Sequence, residues 1–213
     1  MAKNHPYKVY GAKTSGAAMI EMALAEAKAP FERVSTRLGK GGKHTDRFFE
    51  KNPTGKLPAL ETPSGEVLTE SAAILISLAE RHRSARLLPD RNPQARASAL
   101  RWLVYVASEI YPMIEIRDYP KRFVASDVER RVILDRSQQR IRRRWLNVEA
   151  AISGTPWLLP NGLSIADLSI ATVSRWSVGK RWRRQHCPKI EALTSAVAAR
   201  ELAGPVWRYH FEE

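Results

Sequence analysis

The sequence predicts an α/β part built on a small mixed sheet of four strands, followed by an all-helical part. Up to about residue 84, short runs that alternate between apolar and polar residues, as strands do, are separated by segments with helical periodicity. From residue 93 onwards, apolar residues recur only at helical spacing. The segment between the two parts is mainly polar and contains Pro89-Asp-Arg. We therefore expect domains at 1–84 and 93–213, joined by a linker at 85–92.

The predicted order of elements in the first part is β-α-β-α-β-β-α. A strand, a helix and a second strand come first, and this unit favours a parallel pair of strands. Pro63-Ser-Gly65 separates two further strands as a hairpin turn. The strands are expected at 7–10, 31–36, 57–61 and 66–68, and the helices at 17–28, 46–51 and 70–83.

Capping signals and prolines mark the helices of the second part. Asn92-Pro93 is typical of a helix start, and Pro112 predicts a kink or an end within a helical pattern. Ser126-Asp-Val-Glu129 is a capping box at the start of a long helix, which we expect to end at Gly154. Ser164-Ile-Ala-Asp167 is a second box of the same type.

Composition limits the classes of protein to consider. The chain has 213 residues and 44% hydrophobic content, which is enough for a core. The only cysteine, Cys187, excludes an intramolecular disulfide. The five histidines lack metal-ligand spacing, so no metal is expected. With no apolar run of about 18 residues and no signal-peptide pattern at the start, we expect a cytoplasmic protein without a membrane partner.

A net charge of +13 raises the question of an anionic partner. The arginines between Ser126 and Gly154 occupy several helix faces, and no DNA-binding motif accompanies them. Lys180-Arg-Trp-Arg-Arg184 is expected at the end of a helix, where cations suit the helix dipole. A solvated arginine-rich surface is therefore the preferred interpretation, and nucleic acid is an unlikely partner.

One stretch indicates a ligand. Asn52-Pro-Thr-Gly-Lys-Leu-Pro58 places a proline where an apolar run predicts a strand, and a proline there belongs at a strand edge or start. Glu70-Ser71 then begins a helix, whose first amide hydrogens can hold a small carboxylate. An interrupted strand followed by a polar helix start suits an extended, peptide-like acid.

These segments, together with Ser164-Ile-Ala-Asp167 in the helical half, resemble the cytosolic glutathione S-transferase family. The resemblance covers nearly the whole chain. It implies an N-terminal thioredoxin-like domain, a C-terminal helical bundle and a homodimer. It also implies a glutathione site in the first domain and a site for a small electrophile between the domains.

The resemblance assigns the glutathione contacts to five residues. The backbone of Leu57, before a cis peptide bond to Pro58, would pair with the cysteinyl part of glutathione. Glu70 would pair with the ammonium group of the γ-glutamyl end, and Ser71 with its carboxylate. Lys56 would reach the glycine carboxylate. Alternatively, Pro58 is only a fold element and Ser71 only a helix cap.

The loop at 39–44 is glycine-rich but lacks the spacing of a phosphate-binding loop, which needs an earlier glycine and a following Ser or Thr. We interpret it as a connecting loop. Lys43 or His44 could assist at the glycine carboxylate.

The resemblance also implies that a donor near the end of the first strand stabilises the thiolate of bound glutathione. Ser15 is the first candidate. The adjacent Thr14 is the alternative, because a shift of one residue in the alignment would exchange the two. Tyr10 matches the tyrosine of the tyrosine-type classes. The alternative is that all three are loop or core residues, because Lys13-Thr-Ser-Gly16 departs from the family pattern.

The electrophile pocket is expected on the first helix after the linker. Its candidate residues are Tyr105, Ser108, Tyr111 and Pro112. Tyr111 takes the place of a histidine found in some bacterial relatives, and a phenol can also donate to a thiolate. For the nearby Trp102, aromatic core packing is an equal alternative.

The first functional hypothesis is an enzyme that conjugates the thiolate of glutathione, its co-substrate, to small, mostly apolar electrophiles. A glutathione-dependent dehalogenase, isomerase or thioether lyase is the second hypothesis. The third is a non-enzymatic binding or regulatory protein of the same family.

Overall fold

The computed structural model describes residues 5–36 and 46–212. It divides into two compact units. One unit contains the chain up to Leu88 together with the segment from Val197 onwards, and the other is Pro89–Ala196. The C-terminal segment thus groups with the first unit by its contacts, while the domain boundaries proposed from the sequence stay a prediction.

The first unit is built on a four-stranded mixed sheet, which confirms the predicted fold class. The strand order is β2-β1-β3-β4. β1 pairs in parallel with β2 and antiparallel with β3, and β3 pairs antiparallel with β4. The strands are β1 (Tyr7–Gly11), β2 (Phe31–Ser35), β3 (Ala59–Glu61) and β4 (Val67–Thr69).

Helix α1 (Ala17–Glu26) is the core helix of this unit. Its residues from Ala17 to Leu24 are all buried, including the charged Glu21. α1 packs against β1, α3 (Ser71–Arg81) and the C-terminal helix α10 (Ala203–Phe211). The short α2 (Asp46–Lys51) follows β2 in the chain. The sheet, α3 and α10 therefore all contribute to the packing around α1.

The second unit is helical. Asn92 begins its first helix as predicted, because its Oδ1 accepts a hydrogen bond from the amide of Ala95 at 2.9 Å. The helices are α4 (Pro93–Tyr105), α5 (Tyr111–Asp118), α6 (Asp127–Ala151), α7 (Ile165–Ser177), α8 (Lys180–His186) and α9 (Pro188–Ala198), the last of which runs two residues into the first unit.

The irregularity predicted at Pro112 is present. A π-helical turn at Val106–Ile110 joins α4 to α5, and Pro112 lies in the first turn of α5. A proline has no amide hydrogen for the preceding turn, so the regular hydrogen-bond ladder is interrupted just before it.

Both predicted capping boxes are confirmed by their contacts. The amide of Glu129 donates to Ser126 Oγ at 3.2 Å, and the amide of Ser126 donates to Glu129 Oε2 at 3.0 Å. The amide of Ser164 donates to Asp167 Oδ2 at 2.8 Å, and Asp167 is fully buried. These short-range contacts set the starts of α6 and α7.

Two expectations were wrong. α6 ends at Ala151 rather than at Gly154, where a Cβ atom would lie 2.4 Å from the carbonyl oxygen of Leu159. Gly154 is thus needed for a close backbone approach and not as a helix cap. Lys180-Arg-Trp-Arg-Arg184 lies at the start of its own helix, after Gly179, and not at the end of α7.

Within residues 5–36 and 46–212, no helix has both the length and the apolar character of a membrane span.

Candidate functional site

The turn before β3 presents the backbone of Leu57. The Leu57–Pro58 peptide bond is cis, and Pro58 is buried while Leu57 is half-buried. Asn52, which is 1% exposed, shapes this turn: its Nδ2 donates to the carbonyl of Lys56 at 2.6 Å. Its Oδ1 accepts hydrogen bonds from the amide and hydroxyl of Thr54 at 3.1 and 2.8 Å.

Leu57 stands outside the sheet ladder, because β3 begins only at Ala59. Among the described residues, no partner accepts from its N–H or donates to its C=O. A peptide segment laid alongside would find one donor and one acceptor here, as in strand addition. Lys56 is exposed on the same turn, whereas Lys43 and His44 lie outside the described residues.

Glu70 and Ser71 form the start of α3. Glu70 is its N-cap residue, with φ 63° and ψ 107°, and Ser71 is its first residue. A positive φ is costly for a residue with a Cβ atom, and such strain concentrates at functional sites. Neither side chain makes a hydrogen bond or ion pair within the described part of the chain, so the first amide hydrogens of α3 have no side-chain cap.

The sheet brings the two motifs together. In the antiparallel pair of β3 and β4, Ala59 lies directly opposite Thr69. Ala59 follows the Leu57-Pro58 turn, and Thr69 precedes the Glu70-Ser71 helix start. The two halves of the sequence motif are therefore neighbours at one end of a strand pair.

The hydroxyl of Ser15 organises the loop between β1 and α1. Ser15 Oγ donates to the carbonyl of Ala12 at 2.7 Å and accepts from the amides of Ala12 and Ala17, both at 3.2 Å. Its only hydrogen is thus given to a backbone acceptor. The adjacent Thr14 is exposed, has φ 64° and donates its backbone N–H to His210 Nδ1 at 3.2 Å.

Tyr10 makes a different set of contacts, with Glu61 and Phe48. Its hydroxyl donates to Glu61 Oε2 at 2.9 Å, and its ring lies 6.1 Å from that of Phe48 between ring centres. Hydrogen bonds from Lys51, Lys8 and Tyr10 lower the pKa of Glu61 to about 2. Tyr10 therefore already donates to a fully ionised carboxylate.

The candidate pocket residues of the second unit surround the π-helical turn. Tyr105 accepts a hydrogen bond from Asn147 Nδ2 at 2.9 Å, and its ring packs on Trp102 at 5.1 Å between ring centres. Ser108 donates to the carbonyl of Val104 at 2.9 Å. Its neighbours along the chain include the half-buried Tyr111 and the exposed Pro112.

Trp176 on α7 is a neighbour that the sequence did not reveal. Its ring lies 5.2 Å from that of Tyr111 between centres, in an edge-to-face arrangement. Such a contact depends on how α5 and α7 pack, and no local sequence pattern indicates it.

His210 and Glu21 are the residues that sequence reasoning missed in the first unit. Glu21 is a charged residue within the buried stretch of α1, and His210 Nε2 lies 3.0 Å from its Oε2. The charge within an apolar helix was the one signal available, but its partner is 189 residues away in the sequence. Among the described residues, no cluster of three or more His, Cys, Asp or Glu side chains could hold a metal ion.

Comparison with known proteins indicates the class to which this fold belongs. Residues 5–80 match the family described as glutathione S-transferase, N-terminal domain. Glutathione S-transferase GstA of Escherichia coli O157:H7 is 28% identical over 180 residues, covering 84% of this chain and 86% of the relative. The disulfide-bond oxidoreductase YfcG of Escherichia coli K12 is 28% identical over 183 residues, covering 83% and 80%.

A solved structure shares the fold across both units. It is a glutathione transferase homologue from Sulfitobacter with bound glutathione, at a TM-score of 0.85 and 22% identity, covering 94% of this chain and 96% of that one. Residues 5–80 thus form a glutathione S-transferase N-terminal domain, and the relatives together with the shared fold support a soluble member of this family for the chain as a whole.

Proposed function

We propose that this protein binds glutathione in its first unit and conjugates it, through the thiolate sulfur, to small, mostly apolar electrophiles. The observation that carries this proposal is the pairing of Ala59 with Thr69, which sets the Leu57-Pro58 turn beside the Glu70-Ser71 helix start. Family membership supports the same ligand. The Sulfitobacter homologue holds glutathione, and GstA is named a transferase.

The γ-glutamyl end of glutathione carries an ammonium and a carboxylate on one carbon, and the start of α3 offers a partner for each. The carboxylate accepts from the Ser71 hydroxyl and from the uncapped amides, helped by the positive end of the helix dipole. The ammonium pairs with the exposed Glu70. Both side chains are uncommitted within the described residues, so binding breaks no such contact.

The remainder of the tripeptide follows the turn. The cysteinyl residue pairs with the N–H and C=O of Leu57 as an added strand segment. The glycine carboxylate lies towards the exposed Lys56. Tyr10 lies opposite Ala59 in the antiparallel β1–β3 pair, so the loop after β1 and the turn before β3 are at the same end of this pair. We propose that the thiol faces this loop, where Ser15 lies.

Ser15 is the better donor to the thiolate. Its present bond to Ala12 joins two neutral groups and contributes about 1 kcal/mol, whereas a bond to a thiolate contributes about 1.5–3 kcal/mol. The hydroxyl therefore gains by turning towards the sulfur. Tyr10 would have to leave an ionised carboxylate, so it has no comparable gain.

For the conjugation step itself, the main contribution of the protein is a hydrogen bond to the sulfur. A donated hydrogen bond lowers the pKa of the thiol, and the thiolate sulfur attacks an electrophilic carbon as the leaving group departs. Tyr105, Ser108, Tyr111 and Pro112 are proposed to contact the electrophile, with the aromatic rings supplying apolar surface. Exchange of Tyr111 for Phe tests whether its hydroxyl polarises the substrate, since only that group is lost.

The experiment for turnover combines two measurements. The thiolate of bound glutathione is titrated by its ultraviolet absorbance, and conjugation is followed with a chlorodinitrobenzene probe. The proposal expects a thiol pKa below that of glutathione in solution and formation of the thioether. Bound glutathione with an unshifted thiol and no thioether contradicts the transferase function.

A second candidate is a glutathione-binding protein without transferase activity. Two hydrogen bonds favour it: Ser15 donates to the carbonyl of Ala12, and Tyr10 donates to Glu61. Each hydroxyl hydrogen therefore already has an acceptor within the protein. Binding without turnover supports this candidate. The activity assays include a disulfide substrate, because the relative YfcG is a disulfide-bond oxidoreductase. Assays with haloalkane, isomerisation and thioether substrates, followed by product analysis, distinguish the dehalogenase, isomerase and lyase alternatives.

A homodimer and a cytoplasmic location belong to the same proposal. Sedimentation velocity measures the first, and a homodimer requires roughly twice the 24.1 kDa mass of one chain.

A further inference from the structure

His210 on α10 joins the C-terminal helix to the loop that precedes α1. It is 2% exposed. Its Nδ1 accepts the backbone N–H of Thr14 at 3.2 Å, and its Nε2 lies 3.0 Å from Glu21 Oε2. One buried imidazole therefore touches both the loop and the helix that follows it.

The direction of the first bond fixes the protonation of the ring. A backbone N–H can only donate, so Nδ1 presents a lone pair and carries no hydrogen. The ring hydrogen is then on Nε2, which donates it to Glu21. Although such a pair is an ion pair when the histidine is protonated, this geometry corresponds to a neutral imidazole beside a carboxylate.

Glu21 obtains its countercharge from another residue. Arg33 on β2 donates from Nε to the same Oε2 atom at 2.5 Å, and Glu21 is 3% exposed. The guanidinium carbon of Arg33 lies 4.1 Å from the centre of the Tyr209 ring, which holds it in place. The buried carboxylate is thus balanced by Arg33, and His210 is left to act as a donor to Glu21 and an acceptor for Thr14.

The hydrogen bond from the Thr14 amide to His210 matters because of the backbone conformation of Thr14. With φ 64°, Thr14 occupies a backbone region that is unfavourable for residues with a Cβ atom, so neighbouring contacts must hold it there. Ser15 follows immediately, and its hydroxyl spans Ala12 and Ala17. Any change in the Thr14 backbone moves the direction in which Ser15 Oγ points.

We propose that His210 is a positioning residue: through the Nδ1 bond to the Thr14 amide, it holds the loop in the conformation from which Ser15 reaches the thiol. The effect on chemistry rests on the proposed function, but the effect on the loop does not. The C-terminal helix is then part of the support of the active-site loop.

Two amide variants separate the two bonds of the ring. In His210→Asn, the side-chain oxygen takes the place of Nδ1 and accepts from Thr14, while the contact with Glu21 is lost. In His210→Gln, the side-chain nitrogen takes the place of Nε2 and donates to Glu21, while the contact with Thr14 is lost. Both variants lose one bond at the same buried position, so each controls for the structural damage of the other.

The first measurement is hydrogen exchange of the Thr14 amide. Loss of its acceptor is expected to accelerate exchange by about tenfold or more in His210→Gln, while His210→Asn stays close to the wild type. In the wild type, nitrogen NMR of His210 should show hydrogen on Nε2 and a bare Nδ1. Equal Thr14 exchange in the two variants, or a hydrogen on Nδ1, overturns the proposal.

The second measurement is steady-state kinetics with glutathione. His210→Gln should lower kcat about tenfold with little change in KM for glutathione, and His210→Asn should recover most of that loss. Equal losses of kcat in both variants mean that His210 is only a packing residue. If the wild type shows no turnover, the transferase function fails while the Thr14 exchange still decides the positioning role.

Discussion

The hydroxyl of Tyr10 donates a hydrogen bond to Glu61 across the β1–β3 pair, with 2.9 Å between Oη and Oε2. Lys8 lies directly opposite Glu61 in the strand register and donates to its other oxygen at 3.1 Å. Lys51 on α2 lies 3.0 Å from Oε2. These contacts make Tyr10 part of a charged cluster that links β1, β3 and α2. The phenol hydrogen of Tyr10 therefore takes part in a structural hydrogen bond to Glu61.

Replacing Tyr10 by Phe should therefore reduce stability and leave the thiol unaffected. The loss of one bond to an ionised group is expected to lower the free energy of unfolding by about 1–2 kcal/mol. The pKa of the thiol in bound glutathione should stay unchanged. Urea unfolding and thiolate absorbance measure the two effects, and a clear rise of the thiol pKa would make Tyr10 the activating donor.

The charged cluster should also make stability depend on pH. The pKa of Glu61 is lowered to about 2 in the folded protein, against about 4.3 for an unperturbed glutamate. The unfolded chain therefore binds the proton more readily. Stability from this carboxylate is present above about pH 4.3 and is lost as the pH falls towards 2.

Urea unfolding of the wild type and of Glu61→Gln at successive pH values between 6 and 3 measures this contribution. The difference in unfolding free energy between the two should shrink as the pH falls. The exposed Glu32→Gln on β2 serves as the control. A constant difference for Glu61→Gln across this range would show that its ionisation does not stabilise the fold.

Exchange of Ser15 for Ala should act on the thiol. If its hydroxyl turns from Ala12 to the sulfur, the variant should raise the pKa of the bound thiol by about one unit, the equivalent of one hydrogen bond to a charged group. The loop also loses its bonds to Ala12 and Ala17, so stability should fall by about 1 kcal/mol. Comparison with Tyr10→Phe at equal occupancy by glutathione is the control, and an unchanged thiol pKa removes the assignment to Ser15.

The second unit offers a test of stability alone. Asp167 is fully buried and accepts three hydrogen bonds: from the amide of Leu158 at 2.7 Å and from the amide and hydroxyl of Ser164 at 2.8 and 2.6 Å. Asp167→Ala leaves these donors without an acceptor and should cost about 3 kcal/mol or more.

The exposed Asp127 at the start of α6 makes an ion pair with Arg130 and provides the matched control, since Asp127→Ala should cost under about 1 kcal/mol. Thermal and urea unfolding measure both variants. Equal losses in the two would contradict a special role for the buried carboxylate.

The sequence predicted those features that depend on neighbours in the chain. The capping boxes at 126–129 and 164–167, the irregularity before Pro112 and the order of strands and helices along the first part of the chain all follow from local signals. The end of α6 was missed because Gly154 serves a close approach to Leu159, a contact that no helix signal indicates.

The site was predictable only in part, for the same reason. Glu70 and Ser71 are recognisable in the sequence as a polar helix start. The hydrogen-bond partners of Tyr10 and Ser15, in contrast, depend on strand register and loop geometry. The bond between Thr14 and His210 joins residues 196 positions apart. Such a pair becomes visible only when the C-terminal helix is seen packed against α1.

Calorimetric titration with glutathione tests the central claim, that the start of α3 beside the Leu57-Pro58 turn binds this tripeptide. The wild type should bind at millimolar ligand or below. Ser71→Ala should weaken the affinity about tenfold, which corresponds to about 1.4 kcal/mol, while Ser77→Ala, on the same helix but away from its start, should bind as the wild type does. No binding by the wild type at millimolar glutathione, or equal affinities of Ser71→Ala and Ser77→Ala, would contradict the account.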